Sequence, residues 1–196
     1  MSDNGRIPAK NLRTVLGGRF RRGAAASIRR MDLDYFADTK RHLAFTSTYR
    51  TFNEQKSIFL ARYTAQRTGT GPFGDVRYFD GIRYVRTSSA GVVAVPGTSL
   101  HGDGRAADFT GNSWDWLEKH SQDYGWIHPD WAKDPRYLEP WHYEYERAKD
   151  EVKWNMYAKK YKKLTSKVKS ARAKRKRLKT RIAKWNKKRK KFSETP

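Results

Sequence analysis

The charge of this chain is concentrated at one end, and that restricts where a folded core can form. Residues 151–196 hold 20 of the 43 lysines and arginines but only 2 of the 20 aspartates and glutamates, so +18 of the net +23 lies there. Like charges at that density repel and keep a segment solvated, so a core has to be assembled from the residues that precede them. Those residues carry only +5 and most of the seven Trp, eleven Tyr and nine Phe. A chain of 196 residues has room for one ordinary domain and an appendage. The expected division is a domain at residues 1–149 and a basic tail at residues 150–196.

The tail has its own period. Trp154, Tyr157, Tyr161, Leu164, Val168, Ala171, Arg175, Leu178, Ile182 and Trp185 follow one another at alternating steps of three and four, and nearly every other position is basic or small. That spacing predicts a long amphipathic helix with a heptad-like seam. Adjacent like charges weaken such a helix, so part of it is expected to be disordered until an anion or a packing partner neutralises it.

In the first part, residues 24–43 place Ala25, Ile28, Met31, Leu33, Phe36 and Leu43 at helical spacing, and residues 44–50 read as a short strand. A second helix is expected from a Thr51 cap to a stop at Gly69, with Glu54 in its first turn and Ile58, Phe59, Leu60 and Tyr63 inward. The aromatic and β-branched runs around Asp80-Gly81 predict a tight hairpin. Residues 91–109 read as strand, glycine-rich turn and strand, with Pro96 and Gly97 bending the chain before His101. A third helix is expected after a Ser113 cap, with Trp114, Leu117 and Tyr124 on one side and Gly125 as its stop. Residues 141–145 alternate, with His142 and Glu144 on one face and Trp141, Tyr143 and Tyr145 on the other. Helices mixed with short hairpin-linked strands indicate an α+β domain around a small antiparallel sheet with flanking helices.

There is no cysteine, which excludes disulfides, thiolate metal sites and a cysteine nucleophile. Any metal must therefore be held by imidazoles and carboxylates. The stretch MSDNGRIPAK lacks the apolar run of a secretory signal, so the expectation is synthesis in the cytoplasm and export by other means.

His101, Asp108 and His142 can supply the three ligands of a hydrolytic zinc site, which leaves one position for water. Gly102-Asp103-Gly104 lets the chain reverse between His101 and Asp108, and Gly104, Ala106 and Ala107 keep the surroundings small. Glu139, separated from His142 by Pro140 and Trp141, can approach the same cleft as general base. Arg50 offers paired donors to an oxyanion or a substrate carboxylate, and Ser99 can bond substrate or orient a ligand. A blander reading stands beside each of these. Asp108 can pair with Arg105 or Arg50, and a histidine beside an aromatic is more often a hydrogen-bonded residue than a ligand. His42 and His120 fit that class, and so does His128, the best substitute ligand.

Ser99-Leu100-His101-Gly102-Asp103-Gly104-Arg105-Ala106-Ala107-Asp108 fits S-x-H-x-x-G-x-A-x-D, Glu139-Pro140-Trp141-His142 fits E-x-W-H, and Tyr49, Arg50 and Gln55 fit an upstream Y-R-x-x-x-x-Q. In these motifs, over residues 10–147, the chain resembles the zinc D-alanyl-D-alanine carboxypeptidases and L-alanyl-D-glutamate endopeptidases. It looks most similar to VanY-like lytic enzymes of phages infecting actinobacteria. The resemblance implies the fold of the LAS and hedgehog-type zinc peptidases and one Zn2+ ion on His101, Asp108 and His142. It further implies Glu139 as base and Arg50, Ser99 and Gln55 as substrate contacts. The segment 72–95 lies where such enzymes carry an insertion of variable length; either it shapes the substrate groove or its aromatics are surface packing.

The expected function is thus hydrolysis of an amide bond in peptidoglycan stem or bridge peptides, as a phage endolysin that reaches the wall after release. The tail would meet anionic wall polymers or a membrane surface. Two rivals are a non-catalytic wall-binding module and a metal-dependent nucleic-acid protein. Glu139 argues against the first, because a structural zinc site needs no base. Confinement of the cationic footprint to the tail argues against the second and against a specific nucleic-acid partner. The oligomeric state and the bond cut are not legible.

Overall fold

The computed structural model describes residues 3–193; in its last helix, side chains are described for residues 147–150 and 162–186. Two compact units result, Met1–Glu151 and Val152–Pro196. The first unit begins with a hairpin, β1 (Leu12–Val15) and β2 (Gly18–Arg21), followed by α1 (Arg22–Thr39), β3 (Phe45–Ser47) and α2 (Phe52–Arg62). Next come β4 (Tyr63–Ala65), β5 (Val76–Phe79), β6 (Ile82–Arg86), β7 (Ala106–Phe109), α3 (Trp114–His120), β8 (Trp126–Ile127), α4 (Asp130–Lys133) and β9 (His142–Tyr145). Helix α5 (Arg147–Ser193) closes the sequence of elements. The α+β architecture matches expectation, and its strands form three antiparallel sheets: β1-β2, β3-β7-β9-β8 and β4-β6-β5.

The four-stranded sheet carries the core. Phe20, Phe109, Trp126 and Tyr143 are almost wholly buried on it, and edge-to-face contacts link Phe20 to Trp126 and Phe109 to both Trp126 and Tyr143 at 5.5–6.0 Å between centroids. Aromatic pairs in this geometry add about 0.5–1.5 kcal/mol each beyond the area they bury. Ile28 and Met31 of α1 and Leu117 of α3 complete the packing. Leu33 and Phe36, expected to point inward, are instead exposed, and Leu43 reaches the core from beyond the helix end.

Helix α2 shows how local chemistry sets a boundary. Thr51 accepts from the Glu54 amide while the Glu54 carboxylate accepts from the Thr51 amide, a reciprocal capping box. The helix ends at Arg62, seven residues before Gly69, because Tyr63 is already strand and pairs with Arg86. Strands β4, β5 and β6 form one small sheet, with Asp80 and Gly81 at φ of 53° and 73° in the hairpin turn. Residues 91–95 are irregular rather than a strand. Ser113 precedes α3 without capping it through its side chain; its hydroxyl donates to the Thr110 carbonyl.

The first turn of α5 belongs to the first unit and is fastened within it. Asp150 is buried, pairs with Arg30 and accepts from the Tyr145 hydroxyl at 2.7 Å. Within the second unit, Leu164, Val168, Leu178, Ile182 and Trp185 are each 44–60% exposed. Trp154, Tyr157 and Tyr161 of the expected seam lie outside the residues whose side chains are described. Among the described residues, no helix is long and apolar enough to cross a membrane.

Candidate metal centre

Strand pairing builds the site. Asp108 on β7 lies opposite His142 on β9 and adjoins Ser47 of β3. Directly opposed residues of an antiparallel pair project to the same face, so the Asp108 carboxylate and the His142 ring meet without help from any loop. His142 Nδ1 lies 3.0 Å from Asp108 Oδ1, and His101 Nε2 lies 3.3 Å from the same oxygen. Ligand atoms of all three residues fall within 4.8 Å of one another, a group able to hold one metal ion.

His101 arrives from a turn, and the turn is held from behind. The Gly5 amide donates to the Gly102 carbonyl at 2.6 Å, and the Arg21 amide donates to the Gly104 carbonyl at 3.0 Å. The contact is so close that a Cβ on Gly102 would sit 2.1 Å from Asn4 Oδ1. Gly104 has φ of 65°, a left-handed conformation that side chains resist. The first residues and the β1-β2 hairpin thus form the bed of the metal loop, a role that nothing in their own sequence marks.

Each imidazole is also oriented by a second partner. His101 Nδ1 faces the Thr48 carbonyl at 2.7 Å, which fixes its proton there and turns Nε2 toward Asp108. His142 Nε2 lies 3.2 Å from Glu144 Oε1. Such partners set the tautomer and raise ligand basicity, so the donor set fits a divalent ion bound by nitrogen and oxygen. Glu144 received no role from the sequence, though the alternation of residues 141–145 had placed it on the face of His142.

The electrostatics follow from the same contacts. Burial alone would raise the Asp108 carboxyl, but bonds from His101 and His142 hold it well below the usual range. Burial disfavours charge on His142, yet Asp108 and Glu144 outweigh it and push its pKa up to about 9. Burial also raises the Glu139 carboxyl, and Asp108 adds to the effect while His142 opposes it.

His101, Asp108, His142, Glu139, Arg50 and Ser99 all line one open cleft of about 700 Å³. Glu139 is held by its backbone: its amide donates to the Ala132 carbonyl at 2.8 Å, and its carbonyl accepts from the His142 amide at 3.0 Å. Arg50 donates to Gln55 Oε1 at 2.9 Å and to Ser47 Oγ at 3.1 Å. Gln55 itself is only 2% exposed, and its amide nitrogen donates to the Ala94 carbonyl. Both ends of that side chain are engaged, so Gln55 aims Arg50 and holds the 91–95 segment rather than facing the cleft. Ser99 Oγ accepts from the His101 amide at 3.2 Å, in a turn and not on a strand.

The remaining histidines take other partners. His42 pairs with Asp32, His120 packs on Trp116, and His128 lies between Glu118 and the Glu139 carbonyl. Arg105 pairs with Asp103 and not with Asp108. Trp131, which carried no expectation, lies 4.9 Å from the His142 ring and forms part of the cleft wall.

Fold and site together define an α+β protein with a His-Asp-His metal group at the base of an open cleft. A sequence model described as VanY, D-alanyl-D-alanine carboxypeptidase, matches residues 18–148, and the chain belongs to that family. No curated protein matches it. Among solved structures, VanYB in complex with D-alanine-D-alanine is 23% identical with a TM-score of 0.48, over 76% of this chain and 87% of that one. The vancomycin resistance D,D-pentapeptidase VanY in complex with Zn(II) is 24% identical with a TM-score of 0.48, over 76% and 88%. The LdcB LD-carboxypeptidase is 21% identical with a TM-score of 0.49, over 77% and 75%.

Proposed function

We propose that this protein is a zinc-dependent peptidase that hydrolyses an amide bond in peptidoglycan stem or bridge peptides, with a phage endolysin as its biological setting. The observation that carries the reading is the convergence of His101, Asp108 and His142 in the cleft that Glu139 also lines. Family membership supports the peptidase class.

His101, Asp108 and His142 would hold the ion, with two nitrogens and one carboxylate as donors. When bound there, zinc supplies a Lewis acid and lowers the pKa of its water to about 7. Glu139 is left outside the ligand group, so its carboxylate takes the proton of the attacking water and delivers it to the leaving amine nitrogen. Arg50 is set by Gln55 and Ser47, and its remaining N–H groups face negative charge on the substrate. Ser99 holds the metal loop through the His101 amide and lines the cleft beside it.

The tail would bring this cleft to its substrate. Residues 162–186 contain 12 lysines and arginines and no acid, a surface suited to anionic wall polymers or lipid head groups. In this reading the protein is made in the host cytoplasm and acts on the wall after release.

The test is digestion of purified actinobacterial peptidoglycan, with chelator and with zinc restored, read by mass spectrometry. New amine and carboxyl termini that vanish with chelator and return with zinc are expected, and they would name the bond. Peptides that stay intact under every condition would sink the peptidase and favour a wall-binding role.

A further inference from the structure

The cleft that holds the metal group is also lined by cations that the mechanism above does not use. Arg62 is the last residue of α2, and Arg77 lies on β5; both line the cleft together with Arg50 and Glu139. Three guanidinium groups in the lining of one cavity of about 700 Å³ attract anions at close range.

Neither arginine is consumed by its neighbours. Arg62 spends only Nη1, which donates to the Gly91 and Val92 carbonyls at 2.8 and 3.2 Å. Those two bonds fix the guanidinium to the 91–95 segment and leave its other nitrogens for a ligand. Arg77 donates from Nε to Asp75 at 2.8 Å, but that one carboxylate also accepts from Tyr63 at 2.5 Å and faces Arg86 at 3.7 Å. A single acid shared by two arginines leaves a net positive charge. Arg62 shares the cleft lining with Arg50 and Glu139, and its charge acts on both. Its effect on Arg50 is repulsive, and an anion bound at Arg62 would relieve it.

The geometry points to Arg62 and Arg77 as a second carboxylate-binding subsite, separate from Arg50, that selects acidic peptides over the same peptides with that carboxylate amidated. This rests on the peptidase reading. Guanidinium-carboxylate pairs are stronger than neutral hydrogen bonds because both partners are charged, and a carboxamide forfeits that advantage. Selection would therefore fall chiefly on binding, in KM more than in kcat.

The experiment uses the zinc-loaded full chain and synthetic stem peptides that differ only in a free carboxylate or a primary amide, changed at one position at a time. At one position, amidation is expected to lower kcat/KM about tenfold, mostly through KM. Arg77→Gln and Arg62→Lys should each shrink that acid-to-amide ratio, and circular dichroism of both variants checks folding. Equal kcat/KM for acid and amide at every position overturns the subsite, as does a ratio unchanged in both variants. Calorimetric Kd values for the same peptides decide the matter even if neither peptide is cut. In that event the failure belongs to the peptidase reading, and a tighter Kd for the acid still upholds the subsite.

Discussion

The unit Met1–Glu151 and the unit Val152–Pro196 solve opposite problems. The first buries its aromatic residues against one another and opens a cleft at the edge of that packing. In the second, Leu164, Leu178, Ile182 and Trp185 stay exposed beside lysines and arginines, so nothing resembling a core forms among its described residues. On the proposed function, one unit would act through the fixed placement of a few side chains, and the other through summed charge. Single substitutions should therefore be costly in the first and nearly silent in the second.

The largest break in that contrast should come from one carboxylate. Glu139→Gln is expected to lower kcat by about 10²–10⁴-fold while zinc stays bound, with metal content read by atomic absorption. Undiminished turnover would remove Glu139 from the role of base. Next in size, Phe109→Ala should cost about 3–5 kcal/mol in denaturant unfolding, since it empties the centre of the four-stranded sheet. A cost below about 1 kcal/mol would mean that this centre can collapse around the gap.

Deletion of residues 151–196 sharpens the comparison from the other side. Lysis of whole cells should fall about tenfold, while cleavage of a small soluble muropeptide changes less than about twofold. Equal losses would refute a targeting tail. A pH series separates the two forms of the metal centre. In the metal-free protein, the raised His142 pKa stabilises the fold fully below about 6.5 and less as pH climbs through about 9. Zinc needs the neutral ring, so its contribution grows over the same interval. The gap in Tm between zinc-loaded and chelated protein should widen from pH 6 to pH 9, and a constant gap would argue that His142 is not a ligand. The smallest effect is expected for Leu178→Ala, within about 0.5 kcal/mol in thermal unfolding of the full chain.

Much of this was legible in the sequence, where the signal was local. Thr51 with Glu54 marked the start of α2, Asp80-Gly81 marked a hairpin, and alternation at residues 141–145 marked β9. The absence of cysteine narrowed the metal ligands to imidazoles and carboxylates, and the motifs that carry the family resemblance singled out His101, Asp108 and His142. What escaped depends on partners distant in sequence. Tyr63 leaves the helix because Arg86 offers it a strand to pair with, and no residue near position 63 announces that pairing. Gln55 matched a substrate-pocket motif, yet its burial against Ala94 became visible only once the chain had folded. Leu33 and Phe36 kept a helical period on a face left largely exposed, where Phe36 stacks on His42.

The metal group and the arginines that share its cleft stand on different supports. His142 and Asp108 belong to the four-stranded sheet, whereas Arg77 and the carbonyls gripped by Arg62 and Gln55 belong to the segment after α2. That segment can lengthen, shorten or change sequence without moving the β7-β9 register that joins Asp108 to His142. Specificity could thus drift under selection while the hydrolytic centre is inherited intact, and Gln55, tied to both Arg50 and Ala94, is the hinge through which one would be felt by the other.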